Sequence, residues 1–241
     1  MNRIVLILIT ALVSQSVIAQ SIIDKYGAVT RSDTLERAVY LCFTGHDYYE
    51  GFEHVLTVLK RHNIPASFFL TGDFIRNHRN LVKEIVADNH FVGAHSDRHL
   101  LYCDWSKRDS LLHSTEEIRE DILHNLQTLG DLGISPNYFM PPYEWYNGKV
   151  VEIAHQLNQT VVNFSPGTRS NADYTTPDMP NYITSEDILK SIYEYENANG
   201  MNGFHLLIHP GTSSQRKDKL YRHLDEIVAR LKAQRYHFLK F

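Results

Sequence analysis

From residue 38 onward, short apolar runs alternate with stretches of helical spacing. Residues 38–43 (AVYLCF) are continuously apolar over a strand's length. Residues 52–61 then place Phe52, Val55, Leu56 and Leu59 at helical intervals, and Pro65 ends that helix. The same alternation repeats. Strands are predicted at 66–70, 91–94, 137–140, 160–164, 204–209 and 236–239. Helices are predicted at 81–87, 114–132, 150–157, 184–197 and 219–233. Ser114-Thr115-Glu116-Glu117 and Thr184-Ser185-Glu186-Asp187 carry helix-start signals, whereas 165–182, with Pro166, Gly167, Pro177 and Pro180, predicts a long ordered loop. Strands separated by helices imply βαβ units and a mainly parallel sheet, as a barrel or a doubly wound sheet with ligands at the carboxyl ends of the strands.

Composition narrows the class. The 241 residues are 43% hydrophobic and carry a net charge of −4 without a basic cluster, which argues against nucleic acid or an anionic membrane as partner. Arg3 followed by the apolar run 4–13, with small residues up to Ala19, predicts a cleavable leader at 1–19 and an exported, periplasmic or secreted, mature chain. No later stretch is apolar enough to cross a bilayer, so no integral membrane segment is expected after cleavage. Residues 20–37 read as an N-terminal extension and 38–241 as one domain. Cys42 and Cys103 are too few for a disulfide scaffold, and Cys42 lies in an apolar run that suggests burial.

The polar residues that stand out follow predicted strands: Thr44-Gly45-His46-Asp47, His95 to His99, Pro141-Pro142-Tyr143, the loop from Ser165, and His209. His95 and His99 stand four residues apart, a spacing at which two imidazoles can ligate one ion. In a chain with 14 His that spacing alone is weak, and its convergence with four other strand ends is what gives it weight.

This set of strand ends resembles the NodB-type polysaccharide deacetylases, carbohydrate esterase family four, over nearly all of the chain from about Val39. His95-Ser96-Asp97-Arg98-His99 matches the H-S/T-x-x-H metal motif, Met140-Pro141-Pro142-Tyr143 matches R-P-P-Y except at its Arg, and Leu207-Ile208-His209 matches L-x-H. Asn171-Ala172-Asp173-Tyr174 falls where the family carries an Asp-Trp pair. The departure is in the first motif, T-F-D-D-G, where Thr44 falls on the base and Gly45 on a metal ligand. Thr has no usable base near neutral pH, and Gly has no side chain. Loss of the Arg is coupled to loss of the Asp, since a guanidinium buried without its partner is costly.

The resemblance implies an α/β fold, a distorted (β/α)7 barrel in a single domain. It implies metal-dependent hydrolysis of N-acetyl or O-acetyl groups on a glycan. The divalent ion would be zinc first, with nickel or cobalt as alternatives, held by His95, His99 and Asp47, with His46 as the other candidate for third ligand. His209 would be the general acid, and Asp173 would orient it or act as base. Tyr143, Pro142, Trp145 and Tyr174 would line a groove for an acetylated glycan, whose sugar faces stack on aromatic rings. Two alternatives stand beside this expectation: a metal- or glycan-binding pseudoenzyme on the same barrel, and a small-amide hydrolase. Oligomeric state is left open.

Overall fold

The computed structural model describes residues 20–241, so the leader expected at 1–19 lies outside the described residues. Apolar runs of the predicted kind form the parallel strands β3 (Ala38–Gly45), β4 (Ser67–Leu70), β5 (Phe91–Ala94), β6 (Tyr138–Phe139), β7 (Thr160–Val161), β8 (Phe204–Ile208) and β9 (His237–Leu239). The helices are α1 (Phe52–His62), α2 (Gly72–Asn77), α3 (Arg79–Ala87), α4 (Thr115–Gly130), α5 (Gly148–Gln156), α6 (Ser185–Asn199) and α7 (Leu224–Ala233). The sequence signals at their starts act as caps. Ser114 and Glu117 form a complete capping box on α4, and the Thr184 side chain accepts from the Asp187 N–H on α6.

Three elements depart from the expected layout. Helix α2 was not expected: it has six residues, buries only Phe74 and Ile75 besides Gly72, and is started by the Thr71 hydroxyl accepting from the Phe74 N–H. The helix expected from 219 starts as a 3₁₀ turn at Leu220–His223. The extension 20–37 contains β1 (Ile22–Ile23) and β2 (Val29–Arg31), paired antiparallel to each other and, through Arg31, to Phe204 of β8. They extend the order to β1-β2-β8-β3-β4-β5-β6-β7, with β9 beside the start of β3. A single bridge between Val29 and Val162 brings the two ends of the curled sheet together.

Period two along the strands divides the core in two. Leu41 and Phe43 of β3, and Phe204, Leu206 and Ile208 of β8, face the helices and join the large outer core. Cys42, Phe69, Met140, Val162 and Leu207 face inward as a small barrel core, closed below by Phe241, whose ring packs on Tyr40, Phe69, Phe91, Tyr138 and His205. Gly93 makes room for two of those rings: a Cβ there would lie 2.7 Å from both Phe69 and Phe91. The cysteines are free and buried in different cores, Cys42 inside the barrel and Cys103 outside.

Candidate active site

The alternation that places Cys42 and Leu207 in the inner core carries the next inward positions, Thr44 and His209, to the carboxyl end of the sheet. There they line a cavity of about 590 Å³ together with His46, His95, His99 and Glu144. Five strand ends predicted to share one mouth do so.

His95 follows β5 and is fixed from two sides. Its backbone N–H donates to Asn125 Oδ1 at 2.8 Å, and its Nδ1 lies 2.7 Å from the Met140 carbonyl oxygen. Only a protonated Nδ1 can make the second bond, so Nε2 is left as the lone-pair atom. Burial pushes the His95 pKa down to about 3 against the pull of that carbonyl, so the ring is neutral. Burial, followed by the neighbouring imidazoles, drives His99 lower still. The turn joining them is held by α4. Asp121 Oδ1 accepts from the Arg98 N–H at 3.0 Å, its Oδ2 accepts from the Tyr102 hydroxyl at 2.8 Å, and Asn125 Nδ2 donates to the Leu70 carbonyl at 3.1 Å. Asp121 and Asn125 stand one turn apart on the buried face of an amphipathic helix. Sequence reasoning passed over both, although polar residues on an apolar helical face are the signal that finds them.

Four non-glycine residues around the mouth adopt left-handed backbone: Ser96 (φ 68°), His99 (φ 56°), Tyr143 (φ 58°) and Glu144 (φ 53°). Each such residue costs about 1 kcal/mol, and strain of this kind collects where side chains must be aimed. Here it turns Tyr143 onto His99, with ring centroids 4.4 Å apart, and brings Glu144 to the cavity.

His209 is clamped by Asp173, which accepts from its backbone N–H at 2.9 Å through Oδ2 and contacts its Nδ1 at 2.5 Å through Oδ1. Asp173 therefore orients the imidazole and leaves Nε2 free. Burial works against the His209 imidazolium, but the Asp173 charge and hydrogen bond, with Glu144 behind them, leave its pKa raised. Glu144 is held up to about 7, first by burial, helped by Asp173 and opposed by His209. Sequence reasoning did not single out Glu144, because one residue after Pro-Pro-Tyr carries no periodic or spacing signal.

The third metal ligand does not fall where expected. Asp47 lies 3.2 Å from His46 Nε2 with its side chain 68% exposed, and it is the His46 ring that stacks on His99, at 4.3 Å and 18°. Imidazole binds through a lone pair in its own plane, so a shared ion must lie in both planes, about 2.1 Å from each nitrogen. Two nearly parallel rings at stacking distance do not meet that condition. Among the described residues, no group of three His, Cys, Asp or Glu side chains is arranged to hold an ion. As arranged, His95 and His99 supply two prepared donors, and these residues do not make a three-ligand metal site.

Gly45 is closed as well as empty. A Cβ there would point out of the barrel, 2.8 Å from Leu70, 2.9 Å from Phe52 and 3.1 Å from Phe74. Of the expected groove residues, Tyr143 and Tyr174 line the cavity, whereas Pro142 is buried under the turn and Trp145 stands behind Trp105, at 5.3 Å between rings. Trp105 and Tyr48, both about half-exposed, complete the aromatic wall.

Residues 31–162 match the model of the polysaccharide deacetylases. The chain belongs to this family. Among the chain's relatives is the peptidoglycan-N-acetylmuramic acid deacetylase PdaA of Bacillus subtilis, 38% identical over 80 residues, which are 33% of this chain and 30% of that one. The chain spans only 35%, 50% and 30% of the first three curated relatives it matches. Two solved structures share the fold. The Bc1960 peptidoglycan N-acetylglucosamine deacetylase superposes with a TM-score of 0.72 at 23% identity, covering 88% of this chain and 89% of that one. BA3943 of Bacillus anthracis, described as a family four pseudoenzyme, superposes at 0.70 and 22% identity, covering 89% and 67%. The single-domain α/β barrel expected from the resemblance is the fold of both structures.

Proposed function

We propose that the cavity binds an acetylated glycan, peptidoglycan or a related polymer, and that hydrolysis there is impaired. The observation that carries this reading is the pair Thr44 and Gly45. Thr44 stands on the cavity wall where the family pattern has its base, and the Gly45 position is shut by the outer core. The aromatic wall supplies faces for sugar rings, and the family's relatives act on acetylated sugars. The leader expected at 1–19 from the sequence supports an exported setting for this binding.

A second reading keeps metal-dependent deacetylation, and a specific observation favours it. The His95–His99 pair is neutral and oriented, and His209 with Asp173 forms an acid of raised pKa beside it. In that case Asp47 would turn inward to hold a divalent ion with His95 and His99, and an ion so held would supply Lewis-acid polarisation of an acetyl carbonyl.

Metal content and acetate release separate the two, measured on wild type, Thr44→Asp and His95→Ala with N-acetylglucosamine oligomers and peptidoglycan. The first reading expects wild type to bind oligomers without releasing acetate. Acetate release that His95→Ala abolishes, with stoichiometric metal in wild type, overturns it in favour of the second. A Thr44→Asp variant that gains activity identifies position 44 as the missing base.

A further inference from the structure

A second hollow meets the cavity at the step from Tyr48 to Tyr49. Tyr48 lines the cavity above the barrel, and Tyr49 lines a separate groove of about 470 Å³ between α1 and the junction of α2 with α3. The Tyr49 ring is 52% exposed, yet it is held in place. It packs on the His78 ring at 4.3 Å and 34°, and His78 packs on the buried Phe74 at 4.7 Å. An exposed ring anchored in this way offers a fixed flat face to a ligand, with little side-chain freedom left to lose. Beside it stand the exposed amides of Asn77 and Asn80 and the carboxylates of Glu53 and Glu84, none of them paired with another side chain among the described residues. Arg76 brings little free charge, because its guanidinium is divided between Asp97 at 2.7 Å and Asp73 at 2.6 Å. Arg79 then accompanies two carboxylates, so neither sign dominates the groove.

That combination fits an uncharged pyranose. The C–H groups on one face of such a ring stack on an aromatic face, and its hydroxyl and acetamido groups exchange hydrogen bonds with amides and carboxylates at the edge. We infer that the Tyr49–His78 groove is a second carbohydrate-binding site, taking an uncharged sugar unit of a chain whose other units lie in the cavity. The inference rests on the glycan-binding reading for what fills the cavity, and it adds a site away from the strand ends. Thr44, His95, His99 and His209 do not line this groove, so its role is to retain polymer rather than to act on it. Because consecutive residues line the two hollows, one chain crossing Tyr48 and Tyr49 can occupy both. Binding in the second hollow is then intramolecular, and longer chains gain an affinity that neither hollow supplies alone.

The test is titration calorimetry at neutral pH on wild type, Tyr49→Ala and Asn80→Ala. The ligands are the N-acetylglucosamine disaccharide, the hexasaccharide and the soluble polymer glycol chitin, with affinity expressed per sugar unit. The readout is each protein's ratio of polymer to disaccharide affinity, which cancels any indirect effect of a substitution on the cavity. The expected result is a ratio in wild type on the order of tenfold above that of both variants, with the hexasaccharide between the two ligands. Equal ratios in wild type and Tyr49→Ala overturn the second site and leave the glycan reading of the cavity intact. Polymer binding that needs Tyr49, without binding of the disaccharide, upholds the second site and overturns the reading of the cavity. Failure of wild type to bind any of the three overturns both.

Discussion

Glu144 shows how one side chain links the fold to its stability. Its carboxyl is raised to about 7 in the folded chain from an ordinary 4.5, chiefly by burial, so the fold favours its protonated form. The sign follows: stability falls as pH rises from about 4.5 to about 7, and the full cost remains above. Glu144→Gln should therefore melt later than wild type at pH 8, by roughly 1–3 kcal/mol, and no later at pH 4, as read by thermal unfolding at the two pH values. A destabilised Gln variant at pH 8 would mean that the carboxylate is better solvated than its place in the cavity indicates. At this scale the sequence was most readable where chemistry repeats a spacing, as in His95 with His99. It was least readable where a residue acts through the shape of a turn. The left-handed backbone of Tyr143 and Glu144 leaves no mark in a string of letters, and the choice between His46 and Asp47 depends on the rotamers of two adjacent side chains.

Helix α4 is the element that prepares the histidine pair, though none of its residues lines the cavity. Asn125 joins the β4 and β5 ends by accepting from His95 and donating to Leu70. Replacing it with Leu leaves a buried N–H and a buried carbonyl without partners, so Asn125→Leu should cost about 2–4 kcal/mol. It should also release the His95 turn, visible as faster amide exchange at residue 95. A loss confined to stability, with His95 exchange unchanged, would make Asn125 a packing residue only. The helices with strong apolar periodicity and explicit caps were legible almost to the residue. Helix α2 was not, because six residues around two buried side chains fall below the length at which periodicity can be told from chance.

Taken whole, the molecule holds its cavity above a very small inner core. Five fully buried side chains, with Tyr40, Phe91, Tyr138 and the Phe241 ring among those packed against them, fill the barrel beneath Thr44 and His209. Phe241→Ala should lower stability by roughly 3 kcal/mol. Because Phe241 packs on Tyr40 and His205 rather than on any cavity residue, glycan affinity at a temperature well below melting should stay within about twofold. A much larger loss of affinity would show that the inner core sets the height of the strand ends. The barrel was legible because seven strands repeat one pattern. The part played by 20–37 was not: β1 and β2 have two and three residues, too short for alternation to register, and they are strands only through pairing with each other and, for β2, with Phe204 and Val162.

The packing around Gly45 also bears on history. A lineage that lost the carboxylate at 44 alone could regain it by substitution at one codon, since Thr44 already faces the open cavity. Position 45 offers a harder return, because Leu70, Phe52 and Phe74 reach into the space a longer residue would need. A side chain there would have to displace the ends of those three side chains and repack the outer core around them. The loss at 45 therefore works as a ratchet. Descendants of this chain that recover an ion-binding carboxylate are expected to recruit it from position 46 or 47 and to keep glycine at 45.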